Sequence, residues 1–522
     1  MSRPGASKHE PSRWAIVAAL SVFAACYVAY RSWLVSLWYD EAATVSAANR
    51  SLSDLGRLVQ NVDAVHGLYY LLMHWWVDLT GTSAFWVRLP SAIAIGLGVL
   101  GTYLLAKKLL DANTALLASA LLLVLPRVTW AGIEARSSAL TLAVAVWLVL
   151  AFVLAIEKST FARWAGFAAL FGLGVWFNIF LALLAAAFAV TLWLVRADRQ
   201  IWRSWLVASG VSLAASLPVV LAAKAQSAQL GGVQLPLATM VRSVAINQWF
   251  LGDTPAQGTD GGGSSSGISS ADILSTPWLA AALGLTALGW FLVAVALLPE
   301  RVRKEPWPPR VLAVAVPWLF VPSVIAICYS LLVSPLYHQR YFVFCAPALA
   351  ILLAYGLSRI PGRAVRIALT VVLIGGSLVV YASQRGETAK SGYAWSQVAE
   401  LVEAHAKPGD SVYYGPRTPP EGPTAVKTAR LLALAYPQAF AGLTDVTLKA
   451  SPADDGSLSG VSYRLDGATE QLADASRVWV VRWADYPPAA VAAENAVLEQ
   501  AGLSREASWV KGATIVSLFV RH

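Results

Sequence analysis

Long apolar runs with short polar breaks fill residues 14–382, and the pattern changes near Ser383. A run of roughly 20 apolar residues is long enough to cross a bilayer as a helix. Eleven candidate spans result, near 14–35, 86–106, 113–131, 138–156, 162–177, 179–195, 204–222, 277–298, 311–333, 341–357 and 365–382. The fifth and sixth are nearly continuous at "WFNIF" around Asn178. One long buried helix is the competing reading there, and it would reverse the sidedness of everything downstream. From about Ser383 helical and strand patterns alternate: "YAWSQVAELVEAHA" predicts a helix, "SVYYG" a strand, and "RVWVVRW" and "ATIVSLFVR" buried strands. The fold class is therefore an α-helical polytopic membrane domain, residues 1–382, followed by a small α/β domain, residues 383–522.

Composition agrees. Of 522 residues 57% are hydrophobic and 13% charged, with mean hydropathy +0.59; soluble domains carry about 25% charged residues. The net charge of +9 could suggest nucleic acid, but its distribution excludes that. With the N-terminus inside, every inside segment is basic: Arg3, Lys8 and Arg13; Lys107 and Lys108; Lys158 and Arg163; Arg196, Arg199 and Arg203; Arg301, Arg303, Lys304 and Arg310; Arg359, Arg363 and Arg366. This is the positive-inside pattern, and the charge faces anionic lipid. It places the chain in the plasma membrane as a multi-pass protein with a cytoplasmic N-terminus. Loops 36–85 and 223–276 and the C-terminal domain then lie outside. Cys26, Cys328 and Cys345 all fall in apolar runs and form no disulfide or zinc pattern. "VFAAC" resembles a lipoprotein signal, but the apolar run continues past Cys26, so an uncleaved signal-anchor helix is expected.

Three outside loops hold polar residues with chemical potential. The first begins "SLWYDEAATVSAANRSLSDL", with Asp40 and Glu41 adjacent at the exit of the first span, and continues through Asp63, His66 and Tyr69 into the aromatic stretch "HGLYYLLMHWWVDLTG". Its segments predict short helices lying in the membrane interface. Asp40 also suits a helix N-cap. The second, "PRVTWAGIEARSSAL", holds Glu134 and Arg136, which could equally be interface anchors. The third, "SPLYHQRYFVFCAP", holds His338, Arg340 and Tyr341. Arg340 is either a snorkelling belt residue or a phosphate ligand, since guanidinium pairs well with phosphate oxygens. The long loop 223–276 combines an apolar helical segment containing Trp249 with "GTDGGGSSSGISSAD", either a plain flexible loop or a lid over substrate.

One chemistry uses all these parts. A carboxylate serves as general base on a sugar hydroxyl, arginine and histidine stabilise a phosphate leaving group, and aromatic surface holds a lipid tail. That is transfer of a sugar from a polyprenyl-phosphate donor to an acceptor hydroxyl. A lipid-linked sugar flippase or other transporter is the rival, but transporters favour internal repeats and ionisable residues near mid-bilayer. Here the polar residues gather at one face and no repeat is evident.

The succession "DE" after the first span, "HGLYYLL", "EARSSAL" and "RYFVFCAP" resembles the GT-C membrane glycosyltransferases over about residues 14–380. The resemblance is closest to the branch of protein O-mannosyltransferases, aminoarabinose transferases and actinobacterial mannosyl- and arabinosyltransferases. It implies Asp40 as catalytic base, with Glu41 beside it, and Arg340, with His338 and Tyr341, at the donor phosphate. His66, Asp63, Glu134, Arg136, Tyr69 and Trp249 are further substrate-binding candidates. Gly67 stands where the family often has proline, and Ser137 and Ser138 where it often has Pro-Tyr, so the roles of His66 and Arg136 do not carry over. The resemblance also implies an extracytoplasmic C-terminal domain. The expected reaction is inverting transfer of mannose or arabinofuranose to an envelope glycan or glycolipid, with a protein hydroxyl as the alternative acceptor. No cofactor is required; Asp40, Glu41 and His66 could hold a divalent cation, though no spacing demands one. Frequent alanine, tryptophan and arginine suggest a high-GC bacterium with an actinobacterial envelope.

Overall fold

The computed structural model describes residues 10–227, 234–252, 277–299 and 308–522. The glycine- and serine-rich stretch, read above as either a plain flexible loop or a lid, lies outside these residues. Each predicted span falls on a helix or helix pair. Among the described residues seven helices are long and apolar enough to cross a membrane, or up to nine spans if two bent pairs each count as one. The other two of the eleven, Phe161–Phe177 and Ile179–Leu194, are apolar but shorter.

The break at Asn178 separates two elements. The Asn178 side chain accepts a hydrogen bond from the Phe180 backbone N–H at 3.0 Å and starts a new turn. Helix Phe161–Phe177 packs on helices Ser138–Glu157 and Arg199–Ala215, whereas Leu184–Leu194 packs on Arg310–Leu332. Helix Ala84–Leu109 is central, against Glu10–Ala29, Ala112–Val124 and Ser138–Glu157. Its glycines let these neighbours approach: a Cβ on Gly96 would stand 2.7 Å from the Ser21 carbonyl, and one on Gly98 2.5 Å from the Leu142 side chain. Small residues permit such close helix contact in membranes.

Two bends aim polar segments at one face. Helix Ala112–Val124 turns by 62° into Pro126–Gly132, where Pro126 occupies a first-turn position whose N–H would be unpaired anyway. Helix Arg199–Ala215 turns by 48° into Leu217–Ala225. Gln226, just beyond, accepts from the Ala64 backbone N–H at 2.9 Å and donates to the Val59 carbonyl at 3.0 Å.

The C-terminal domain contains β1 (Ser411–Tyr414), β2 (Thr424–Ala425), β3 (Thr444–Asp445), β4 (Leu448–Ala450), β5 (Val461–Tyr463), β6 (Arg477–Trp483), β7 (Leu503–Lys511) and β8 (Thr514–Arg521). A five-stranded sheet has the order β3-β1-β6-β8-β7, with β1 parallel to both β3 and β6 and the pairs with β8 antiparallel. β2, β5 and β4 make a second, antiparallel sheet.

This domain shares a hydrophobic core with the first-loop helices Tyr39–Ala48, Leu52–Asn61 and Gly67–Thr80. The Leu37 backbone N–H donates to the Tyr436 hydroxyl at 2.9 Å, Ser46 donates to the Leu458 carbonyl at 2.8 Å, and Arg50 donates to the Pro452 and Ser457 carbonyls. Residues 36–85 are thus a platform bonded to the C-terminal domain rather than free interfacial helices. The two must lie on one side of the membrane. The positive-inside expectation puts that side outside, and it predicts that Lys449→Cys reacts with an impermeant thiol reagent on intact cells. Protection until lysis would contradict this orientation.

Candidate active site

Helix Tyr39–Ala48 begins directly after the first span, and its first two carboxylates take different partners. Trp38 occupies the N-cap position and makes no side-chain cap bond, so Asp40 is not the cap. Successive helical residues point about 100° apart, and the structure uses that angle. Glu41 turns inward and is fully buried. It accepts from Arg88 Nε at 2.7 Å and Nη2 at 2.5 Å, and from the Ala135 backbone N–H at 2.9 Å. Asp40 turns the other way. Its Oδ2 accepts from Arg340 Nη1 at 2.8 Å, and its Oδ1 lies 3.5 Å from Arg136 Nη2. The Asp40 side chain remains 17% exposed and Arg340 29%, so this pair faces an accessible space while Glu41 does not.

Arg88 is the anchor of the buried side. It also donates to the carbonyls of Ser32, Val35 and Ser36. These bonds tie the exit of the first span to the second, and Glu41 ties both to the loop carrying Glu134 and Arg136. Thr44 adds a bond to the Ala135 carbonyl at 2.8 Å, and Ser91 one to the Glu134 carbonyl at 2.6 Å. Glu41 therefore positions Arg136 against Asp40.

A polar chain continues on the open side. Arg136 Nη1 donates to the Tyr70 hydroxyl at 2.9 Å, and Tyr70 donates to Asp63 Oδ2 at 2.7 Å. Asp63 adopts φ 56°, ψ 30°, the left-handed region tolerated by Asp, at the turn that leads to His66. The His66 ring lies 5.8 Å from that of Tyr70, and its buried Nδ1 has no hydrogen-bond partner among the described residues. Burial, reinforced by Arg136, lowers the imidazole pKa to about 4, so His66 is neutral near pH 7. Tyr69 is buried behind, its ring 6.4 Å from Tyr70.

The third loop forms a short 3₁₀ segment, Gln339–Cys345. Asn178 donates to the Tyr341 carbonyl at 3.3 Å, Ser243 donates to Gln339 at 3.1 Å, and Phe180 stacks on Tyr341 with ring centroids 4.9 Å apart. His338 accepts from the Arg340 backbone N–H at 3.4 Å. The Arg340 guanidinium lies 5.8 Å from the Trp38 ring and 5.5 Å from that of Tyr341, within cation–π range.

Charge follows from these contacts. Burial pushes the Asp40 carboxyl up, but Arg136 and Arg340 together outweigh it and hold the group below its ordinary range. Burial likewise opposes ionisation of Glu41, and Arg88 then Lys390 reverse it. Glu134 goes the other way: burial raises it, with Lys390 and Arg340 acting in the opposite sense. Lys390 Nζ sits 4.0 Å from the Trp130 ring centroid.

Of the candidates read from sequence, Asp40, Arg340, Arg136, His66 and Asp63 meet in one polar cluster, with Tyr341 and His338 beneath it. Glu41 and Glu134 are buried behind it. Trp249 is buried among the membrane helices, where its Nε1 has no hydrogen-bond partner among the described residues. Tyr70, Arg88, Trp38 and Lys390 were not singled out. A lone arginine inside a span was the available signal for Arg88, because intramembrane ionisable residues are costly and retained for a reason. Nothing local marked the others. No cluster of three or more His, Cys, Asp or Glu side chains that could hold a metal occurs among the described residues.

Comparison with known proteins falls on the same architecture. The family model described as dolichyl-phosphate-mannose-protein mannosyltransferase matches residues 67–223, under a third of the chain. ArnT from Cupriavidus metallidurans bound to undecaprenyl phosphate superposes with TM-score 0.56 at 13% identity, over 96% of this chain and 97% of that one. The same protein in the apo state gives 0.57 at 14% identity with equal coverage. No curated protein sequence matches. The chain is a multi-pass membrane protein with the GT-C-like fold of membrane glycosyltransferases.

Proposed function

We propose that this protein transfers a glycosyl unit from a polyprenyl-phosphate donor to a hydroxyl of an envelope glycan or glycolipid at the outer face of the membrane. The observation that carries the reading is the Asp40–Arg340 pair, 2.8 Å apart at an accessible face and 300 positions apart in sequence. It sets a base and a phosphate-binding cation side by side. ArnT, whose fold the chain shares, has been crystallised with undecaprenyl phosphate, which supports a lipid-linked donor here.

In the reaction the acceptor oxygen attacks the anomeric carbon, the bond from that carbon to the phosphate oxygen breaks, and polyprenyl phosphate departs with the electron pair. The acceptor proton goes to Asp40. Attack opposite the leaving group inverts the anomeric centre. While Arg340 rests on Asp40 the carboxylate is a weak base. Donor phosphate competes for Arg340, and as the guanidinium moves onto it Asp40 regains basicity. Donor binding thereby switches on the base. His66, neutral and with an open Nδ1, hydrogen-bonds a substrate hydroxyl, and Arg136 keeps Asp40 oriented through the exchange. No step needs a metal. Mannose or arabinofuranose is the sugar proposed; the matched family's description, which names mannose and a protein acceptor, keeps a protein hydroxyl as the second acceptor reading.

Arg340→Ala tests the donor contact. A hydrogen bond to a charged group contributes about 1.5–3 kcal/mol, so donor affinity and transfer should fall roughly ten- to hundredfold. Unchanged donor affinity would make Arg340 a belt residue.

A further inference from the structure

The C-terminal domain carries a cavity of about 150 Å³ that the transfer chemistry does not use. It lies where the carboxyl ends of β1 and β6 part. The chain leaves β1 toward β3 on one side and later returns to β6 on the other, so this is a topological switch point. Ligand crevices in open sheets with parallel strands form at such points. Tyr413 and Tyr414 close β1 there, and Tyr486 and Glu494 come from the segment after β6. Tyr463 supplies a ring at the rim, 40% exposed.

The lining has the chemistry for a neutral, hydroxyl-rich ligand. Glu494 accepts from Tyr413 at 2.8 Å and from Tyr486 at 3.1 Å, with Arg482 2.7 Å behind it. These bonds hold two phenol rings in place before anything binds. Thr428 lines the cavity, is fully buried, and its hydroxyl has no hydrogen-bond partner among the described residues. A buried polar group without a partner is costly, and a small shift of Thr428 toward the cavity would let a ligand hydroxyl satisfy it. A nucleotide or phosphate fits poorly. The two arginines nearest the cavity are paired, Arg464 with Asp466 at 3.0 Å and Arg482 with Glu494, though Arg482 Nη2 has no hydrogen-bond partner among the described residues and Lys449 lies 5.5 Å from the Tyr463 ring. The loop after β1, "GPRTPPEGP", carries four prolines rather than a phosphate-binding glycine series. That loop is stiff, which lowers the entropy cost of binding.

Side-chain contacts lead from the cavity rim toward the active site. Pro416 lines it, and the next residue, Arg417, lies 4.9 Å from the Trp483 ring and pairs with Asp485 at 2.6 Å. Trp483 in turn stands 6.2 Å, ring to ring, from Tyr39, the neighbour of Asp40. Contacts from Arg417 to Trp483 and from Trp483 to Tyr39 thus lead from the cavity rim toward the residue next to Asp40.

We infer that this cavity is a sugar-binding subsite that holds a unit of the acceptor glycan away from the reacting hydroxyl. The inference rests on the transfer reading for the word acceptor, but not for sugar binding itself. The test uses the full-length protein in detergent without donor, titrated with manno-oligosaccharides and arabinofuranosyl oligosaccharides by ligand-observed NMR. Binding is expected for at least one series. Tyr463→Ala removes an exposed stacking face, and Ala490→Trp fills the mouth from a half-buried helix position. Ring contacts of this kind contribute about 0.5–1.5 kcal/mol, so Tyr463→Ala should weaken binding roughly two- to tenfold. The acceptor KM should rise by the same factor with the donor KM unmoved. Asp40→Asn should bind the oligosaccharide like the unmodified protein. No binding of either series, or binding unaltered by both cavity variants, overturns the subsite. Oligosaccharide binding lost in both variants of a protein that transfers nothing would uphold the subsite and sink the transfer reading.

Discussion

Asp40→Asn should lower glycosyl transfer at least about a hundredfold, the lower range for a lost general base, while membrane insertion and yield stay unchanged. The amide preserves the shape of Asp40, and its one oxygen can still accept from Arg340, the shorter of the two contacts, while its NH2 replaces the oxygen that faces Arg136. What it loses is the ability to take the acceptor proton. Donor affinity should hold or tighten, because Arg340 no longer leaves a carboxylate to reach the phosphate. A well-folded variant with near-normal turnover would show that the base lies elsewhere, with Asp63 and Glu134 the next carboxylates to test. The measurement is product formation beside donor binding, with thermal unfolding as the fold control.

Arg88→Ala should behave oppositely and fail in folding first. The substitution strands Glu41 as a buried charge and frees three carbonyls that Arg88 now satisfies. Breaking a buried ion pair by removing one partner costs about 3–5 kcal/mol. Thermal stability and extractable yield should drop together, and activity with them. Glu41→Gln should be milder, since the amide keeps the packing and part of the hydrogen bonding. The pair is also pH-linked. Arg88 holds the folded carboxyl of Glu41 below its unfolded value despite burial. The pair's stability is present above the unfolded pKa of about 4.3 and is lost as pH falls through the depressed folded value. An Arg88→Ala protein with unchanged unfolding temperature would contradict this division of labour between two neighbouring carboxylates.

That division marks how far the sequence could be read. Span positions and the α/β character of the C-terminal domain were legible because both rest on local periodicity: long apolar runs, then alternation. Asp40 and Arg340 were legible as residue types out of place beside a membrane, and the 100° step between helical neighbours already separated Asp40 from Glu41. Their partners were not. Arg88, Tyr70 and Lys390 reach the site only because glycines let helices approach closely, a 62° bend turns the second loop inward, and the C-terminal domain settles on residues 36–85. Those are long-range packing events with no local signature. The N-cap reading of Asp40 failed for a local reason: the helix starts at Tyr39, two residues earlier than an Asp40 cap requires. Trp249 was a substrate-binding candidate in an apolar segment of the long outside loop, yet helix packing buries it.

The most direct test of the account incubates the purified protein in detergent with a panel of polyprenyl-phosphate sugars and oligosaccharide acceptors, followed by mass analysis of the products. Detergent abolishes transport but leaves transfer intact. An acceptor one sugar heavier is expected with at least one donor, with free polyprenyl phosphate in equal amount, and both should fall at least about a hundredfold with Asp40→Asn. No glycosylated product from any donor, with sugar movement detectable only in sealed vesicles, would contradict the account.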